Sequence, residues 1–344
     1  MKKVMQTAFK SLPIVDISNL YSDNLEERKA VAKELGEAAR NIGFLYITGH
    51  NIEKEKIDKL KTITKKYFDQ TLDKKMESYI GKSSNHSGYV PEGEEVFYGG
   101  SKDLKECYDV NYDYTQGPQI YPMVGPTQWP EMDEFKEVVK DYYDAIFNLG
   151  KTLIKGFALS LEIPEDTFLK FINNPPSQLR LIHYPANLDE KNDQPGIGAH
   201  TDYECFTILL PTAPGLEVLN GANEWIDAPL VEDAFVINIG DMLEVLTNGN
   251  FIATSHRVRK VQEERYAFPF FFACDYKTEI KPLSNIKPRS EDSNYESIIC
   301  GDHLYTQTLH IFQYLQEKLK KGEVSFPKNH TEIAAFGKFK NLKE

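Results

Sequence analysis

Between residues 178 and 276 the chain is a succession of short apolar runs broken by turn residues: QLRLIHY, AHTDYECFTILLP, GLEVL, EWIDA, AFVINIG, TSHRV and RYAFPFFFACDY. No other feature restricts the fold as much. Short runs bounded by turn residues read as strands. Many such strands in a row bury their apolar faces by closing on themselves or by stacking as two sheets, so a sandwich or barrel of antiparallel strands is expected. AHTDYECFTILLP, residues 199 to 211, is expected to form one strand. His200 and Asp202 would then share one face, with Thr201 on the other.

The first half reads differently. LPIVDIS alternates as a strand does, and GFLYITGH (43–50) reads as a short buried strand. Asp23 and Glu26 form a possible capping box before a helix carrying Val31, Leu35, Ala38, Ala39 and Ile42. Residues 52–70 predict a charged amphipathic helix with Ile57, Leu60, Ile63 and Tyr67 on one side. Residues 77–128 show no clear period and read as irregular. The longest helix follows, its core stripe running Phe135, Val139, Tyr142, Ile146, Leu149, Leu153. A last helix is expected around 302–320. Helices, an all-β half and a closing helix suggest an α+β arrangement or a mostly β barrel with flanking helices packed outside it, the N-terminal helices covering one sheet. The expected division is a single catalytic unit over 1–344, with a helical and strand cover at 1–175, a β core at 176–280 and a helical segment at 281–344.

Charge and cysteine usage exclude some functions. With 52 acidic against 40 basic residues the formal net charge is -12. Such a field repels phosphate backbones and argues against nucleic acid as a partner. The four cysteines, at 107, 205, 274 and 300, have neither disulfide-framework nor zinc-knuckle spacing and read as reduced, buried thiols. The first residues show no signal-peptide pattern, and no run is long enough to cross a membrane. A cytoplasmic protein without membrane partners is the expectation.

Of the eight histidines, His200 and His256 stand out. His200 lies two residues before Asp202, and His256 sits in another strand, SHRV. In a closed β fold the three side chains can converge. Two imidazoles and one carboxylate on one face of a metal leave three positions open, as in the facial triad of non-haem Fe(II) oxygenases. The bland alternative is a pair of core or surface histidines. Arg265 follows His256 by nine residues and opens the apolar strand ERYAFPFFF. A buried guanidinium needs a partner, and its planar fork suits a carboxylate. That partner is either a ligand or an acidic side chain in a structural ion pair.

LTNGNFIATSHRV (246–258) resembles the segment around the distal histidine in the isopenicillin N synthase-like family of Fe(II)/2-oxoglutarate-dependent dioxygenases. LPIVDIS, GFLYITGH, GYVPEGEE (88–95), DLKECYDV (103–110), LRLIHYP (179–185), HTD, GLEVL, WIDAP and VINIGDMLEVLTNG follow in that family's order. The likeness spans roughly residues 12–276. It implies a double-stranded β-helix, or jelly-roll, core with flanking helices. It implies Fe(II) held by His200, Asp202 and His256, with 2-oxoglutarate as co-substrate bound through Arg265 and Tyr184. O2 would be the oxidant, with succinate and CO2 released and a C–H bond of a small molecule hydroxylated, desaturated or cyclised. The positions two after Arg265 and two before Tyr184, serine and asparagine in the family pattern, are Ala267 and Ile182 here. Those departures keep open an isopenicillin N synthase-type Fe(II) oxidase that needs no 2-oxoglutarate. A binding module with a decayed metal site and a zinc hydrolase are the remaining alternatives. An amino acid, a peptide or a natural-product intermediate would suit as substrate. Tyr89, Glu92, Glu94 and Tyr98, or Phe270 and Phe272, are candidates for the pocket wall.

Overall fold

Short strands rich in apolar residues pair here into two main sheets that face each other across the interior, with a separate two-stranded pair joining Glu279–Ile280 to Ile298–Ile299. The computed structural model describes residues 6–96, 105–117, 121–186, 197–259, 263–290 and 295–328. Its strands are β1 (Ile14–Asp16), β2 (Phe44–Thr48), β3 (Gly88–Val90), β4 (Glu106–Asn111), β5 (Gln178–Tyr184), β6 (Ile197–His200), β7 (Phe206–Pro211), β8 (Leu216–Leu219), β9 (Trp225–Asp227), β10 (Phe235–Ile239), β11 (His256–Val258) and β12 (Arg265–Phe272). The helices are α1 (Leu25–Asn41), α2 (Lys54–Phe68), α3 (Leu72–Met76), α4 (Phe135–Ser160), α5 (Asp241–Leu246), α6 (Cys300–Ile311) and α7 (Gln313–Lys320).

The larger sheet has the order β1-β2-β10-β7-β12-β5-β4-β3, and the smaller β6-β11-β8-β9. Phe44 and Tyr46 of β2 and Val236 of β10 form one buried cluster with Leu216 and Val218 of β8, which ties the sheets together. This is the expected jelly-roll core with helices outside it. On the outer face of the larger sheet His183 stacks on Tyr266, ring centroids 4.8 Å apart, and Phe68 of α2 lies 5.3 Å from His183. Tyr143 and Phe147 of α4 pack against Phe270. Gly150 is required there: a Cβ on it would stand 2.4 Å from the Phe272 ring. The outward strand positions are thus spoken for by helices, and by alternation the intervening residues point into the barrel.

Several expectations are corrected. Residues 199–211 are not one strand: β6 ends at His200 and β7 begins at Phe206, with a loop between. Asn24, not Asp23, caps α1, its side chain accepting from the Glu26 amide at 3.0 Å, because the helix starts at Leu25. The stretch 77–128 contains β3 and β4, which extend the larger sheet. Their period was hidden because Asp109 and Asn111 of β4 are polar yet buried. The N-terminal segment therefore supplies four strands to the larger sheet besides its helices. The closing helix is two helices broken at Phe312, which is extended and bridges to Glu95. All four cysteines are buried and unbridged, as expected. No helix among the described residues is long and apolar enough to cross a membrane.

Candidate metal centre and carboxylate pocket

Strand pairing brings the two histidines together. His256 of β11 is the register partner of His200 at the end of β6, and their ring centroids are 4.3 Å apart. Asp202 arrives from the loop rather than from a shared strand face. Its Oδ1 lies 3.4 Å from His200 Nε2 and 3.6 Å from His256 Nε2. One ligand-type atom from each of the three falls within 4.8 Å of the others, the only such group of three among the described residues.

Each side chain is held with a chosen atom facing inward. His200 Nδ1 lies 2.8 Å from the Gly198 carbonyl and His256 Nδ1 3.3 Å from that of Thr254. A carbonyl only accepts, so both Nδ1 atoms carry a proton and both Nε2 atoms face Asp202, where each can hold a metal once it is deprotonated. Asp202 Oδ2 accepts from the Thr207 hydroxyl and, at 2.7 Å, from the Asn238 amide. Thr207 and Asn238 are register partners on β7 and β10. With Oδ2 occupied, Oδ1 is the atom left to the histidines. Sequence reasoning missed this pair, although each is a polar residue in an otherwise apolar strand.

The loop that delivers Asp202 is fastened to the start of α5. The Asp241 amide donates to the Asp202 carbonyl at 2.8 Å and Gly240 to that of Cys205 at 2.9 Å. A Cβ on Gly240 would stand 2.2 Å from the Glu204 carbonyl oxygen. Gly240→Ala is therefore expected to push the loop outward. Relieving such a clash costs about 1–3 kcal/mol. A lowered Tm together with weakened metal binding is the expected outcome, and a metal titration at unchanged affinity would show that the loop does not position Asp202.

The three groups set each other's protonation. Burial alone would raise the Asp202 pKa, but His256, His200 and Thr207 outweigh it and hold the carboxyl well below its usual range. Burial, with the neighbouring His200, pulls His256 down to about 4. For His200 burial works downward and Lys105 assists it, yet the hydrogen bond and charge of Asp202 win and the pKa is raised. A carboxylate and two imidazoles with inward lone pairs form a hard-and-borderline N2O set with an open side, which fits a first-row divalent metal.

A second feature lies at the start of β12. Arg265 is 1% exposed, and its Nε and Nη1 are buried without a hydrogen-bond partner. Its register partner is Tyr184, whose ring lies 4.8 Å from the guanidinium carbon. The next inward positions stand side by side across four strands: Cys107 opposite Ile182, Ile182 opposite Ala267, Ala267 opposite Pro211. The two departures from the family pattern are thus neighbours and create an apolar row beside the arginine. An unsatisfied buried cation is costly. A carboxylate-bearing ligand whose methylene groups cross that row satisfies it, whereas the structural ion pair considered from sequence is not found among the described residues.

The other pocket-wall candidates have other roles. Tyr89 donates to Glu106 on the outer side. Glu94 accepts from the Tyr79 hydroxyl at 2.9 Å and the Tyr314 amide at 2.8 Å, and so ties its segment to α7. Phe270 and Phe272 face α4. Glu92 shows no contact with the centre, and Tyr98 lies outside the described residues. The charged residue that does turn inward from this segment is Glu95, in an ion-pair network with Lys105 and Arg180.

Comparison with known proteins gives consistent findings. The family described as the 2OG-Fe(II) oxygenase superfamily matches residues 175–273, and the N-terminal family of the non-haem dioxygenase in morphine synthesis matches 12–132. The chain is 33% identical over 321 residues to the 2-oxoglutarate-Fe(II) type oxidoreductase ppzC of Metarhizium rileyi, covering 85% of each chain. It is 32% identical to a homoarginine-6-hydroxylase of Arabidopsis thaliana, covering 88% of this chain and 98% of the relative. A crystal structure of a putative 2OG-Fe(II) oxygenase family protein from Caulobacter crescentus superposes with a TM-score of 0.75 at 29% identity, covering 91% of this chain and 99% of that one. Neurospora crassa T7H, solved with alpha-KG and thymine, shares the fold with a TM-score of 0.75 at 24% identity, covering 92% and 98%.

Proposed function

This chain belongs to the 2-oxoglutarate–Fe(II) oxygenase superfamily, and on that premise we propose that His200, Asp202 and His256 are its iron ligands and that Arg265, backed by Tyr184, binds the far carboxylate of 2-oxoglutarate. The enzyme is a non-haem Fe(II)- and 2-oxoglutarate-dependent oxygenase acting on a small molecule. We propose further that the substrate is an amino acid. That reading is supported by the homoarginine-6-hydroxylase above and by a 1-aminocyclopropane-1-carboxylate oxidase of Dictyostelium mucoroides, 31% identical and covered over 83% of its length.

When bound, iron and 2-oxoglutarate would supply the oxidising power: one oxygen atom of O2 would end in succinate as CO2 is lost, and the other would enter the substrate or leave as water as the C–H bond is oxidised. The chain's part is positioning. The Gly198 and Thr254 carbonyls fix both imidazoles as Nε2 donors. Thr207 and Asn238 hold one oxygen of Asp202 so that the other serves the metal. The Tyr184 face carries the Arg265 guanidinium without consuming its N–H donors. The row of Cys107, Ile182, Ala267 and Pro211 is buried or nearly so, which keeps water out of the space beside the arginine. It also offers no hydroxyl or amide to a carboxylate, so the charged contact with Arg265 carries the anchoring.

The observation that carries this reading is the pair of unpartnered Arg265 nitrogens beside a His-Asp-His group. It favours a carboxylate co-substrate over the oxidase alternative that takes all electrons from its substrate. The test is anaerobic: Fe(II) is added to the apoprotein and 2-oxoglutarate is titrated in. A saturable visible charge-transfer band of a chelated 2-oxo acid is the expected result. Iron binding without a band would overturn the assignment of Arg265.

A further inference from the structure

We propose that Arg180 is a substrate-binding residue that receives the carboxylate of the primary substrate, an inference that rests on the amino-acid oxygenase reading above. Arg180, Ile182 and Tyr184 alternate on one face of β5, the inward face, because the intervening His183 is stacked on Tyr266 outside. Arg180 therefore lies on the same wall as the Arg265–Tyr184 pair, two steps along the strand and past the apolar row.

Its guanidinium is held from behind. Nε donates to Asp109 Oδ1 at 2.8 Å and Nη2 to Asp109 Oδ2 at 3.1 Å, a bidentate pair between register partners of β4 and β5. Nη2 also lies 2.7 Å from Glu95 Oε1, and Glu95 Oε2 lies 2.8 Å from Lys105 Nζ. Every carboxylate oxygen of the network is thereby engaged. What the network still offers a ligand is a donor: Arg180 Nη1 makes no hydrogen bond among the described residues and is not among the buried unpartnered atoms, and the side chain keeps 12% exposure. A pre-oriented cation with one N–H edge open is a receptor for an anion, not for a cation.

Glu95 is held in place from the other side, since its segment is hydrogen-bonded to the break between α6 and α7 through Val96 to Ile311 at 3.0 Å and Gln313 to Glu94 at 3.1 Å.

The test compares acids with amides. Protein loaded anaerobically with Fe(II) and 2-oxoglutarate is titrated calorimetrically with the free L-α-amino acids and with their primary carboxamides. In wild type at least one acid is expected to bind about tenfold or more tighter than its amide, the loss of one charge-assisted contact. Arg180→Gln should abolish that preference while the 2-oxoglutarate affinity changes less than about threefold. Arg180→Lys keeps a cation between Asp109 and Glu95, so it remains informative if the glutamine variant does not fold. It should bind the acid about tenfold more weakly than wild type, because an ammonium lacks the fork. The proposal is overturned if no acid binds, if the variants keep the wild-type preference, or if they lose 2-oxoglutarate instead, which would place Arg180 at the co-substrate. Absence of the charge-transfer band in wild type would fail the metal and co-substrate assignment, and the acid–amide comparison is then run on the protein without additions, where a preference lost in Arg180→Gln still supports Arg180 and its absence overturns the proposal.

Discussion

His200→Ala is expected to abolish turnover while leaving the fold intact. His200 is half-buried at the end of β6, so removing its ring creates no large core cavity. Its loss takes away one of the three proposed ligand atoms and, with it, the partner 3.4 Å from Asp202 Oδ1. Iron affinity measured by anaerobic titration should fall by at least about 100-fold, the loss of roughly 3 kcal/mol. A near-wild-type circular dichroism spectrum and Tm should accompany it. Full turnover in the variant would end the triad assignment. The same geometry predicts a pH dependence. A metal takes the neutral imidazole, so protons compete with iron. Asp202 raises the His200 pKa above its ordinary 6.5, while His256 is depressed to about 4. Iron affinity should therefore decline as pH falls through the neutral-to-acid range, with one proton taken up per iron lost, that of His200. A second proton should enter only near pH 4. Two protons taken up together near neutrality would contradict the asymmetry.

Arg265→Leu is expected to separate co-substrate binding from stability. The guanidinium has two nitrogens, Nε and Nη1, with no hydrogen-bond partner in the described structure, both buried. Hydrogen bonds to a charged group are worth about 1.5–3 kcal/mol each, so losing the fork should weaken 2-oxoglutarate about 100-fold or more. The charge-transfer titration measures this directly. Iron affinity should stay within about threefold, because Arg265 contacts none of the three proposed ligands. The Tm of the protein without 2-oxoglutarate should not fall and is expected to rise, since a buried cation without a partner is replaced by an apolar side chain of lower desolvation cost. In wild type, by contrast, added 2-oxoglutarate should raise the Tm through mass action. A destabilised variant with unchanged 2-oxoglutarate affinity would return Arg265 to a structural role.

Much of this site was legible before any fold was known. His200, Asp202, His256 and Arg265 stand out because imidazoles, a carboxylate and a guanidinium are out of place in strands of otherwise apolar residues. The family order of motifs linked them. Thr207, Asn238, Arg180 and Asp109 were not singled out. Each is also polar within a strand, but a lone threonine or asparagine is common and its partner lies far along the chain. Asp109 and Arg180 are separated by a long helix and become register partners only when β4 lies beside β5.

The chain's own pattern determined an antiparallel sandwich or barrel, the amphipathic helices that cover it and the residue types able to hold a metal and a carboxylate, while the jelly-roll form was implied by the resemblance of its motifs to a family. Local periodicity carries those properties, because burial of a strand or helix face depends on neighbours within a few positions. Tertiary structure alone decided three matters. It placed Asp202 on a loop, against the expectation of a shared strand face, because hydrogen bonds from Thr207, Asn238 and the start of α5 compete with strand continuation. It chose which atoms face inward, through carbonyls beside each imidazole and donors on one carboxylate oxygen. It also left Arg265 Nε and Nη1 without a hydrogen-bond partner among the described residues while tying Arg180 to two carboxylates, although both arginines sit in similar apolar strands. Which cation is satisfied depends on the strand that pairs beside it, and pairing is a property of contacts distant in sequence.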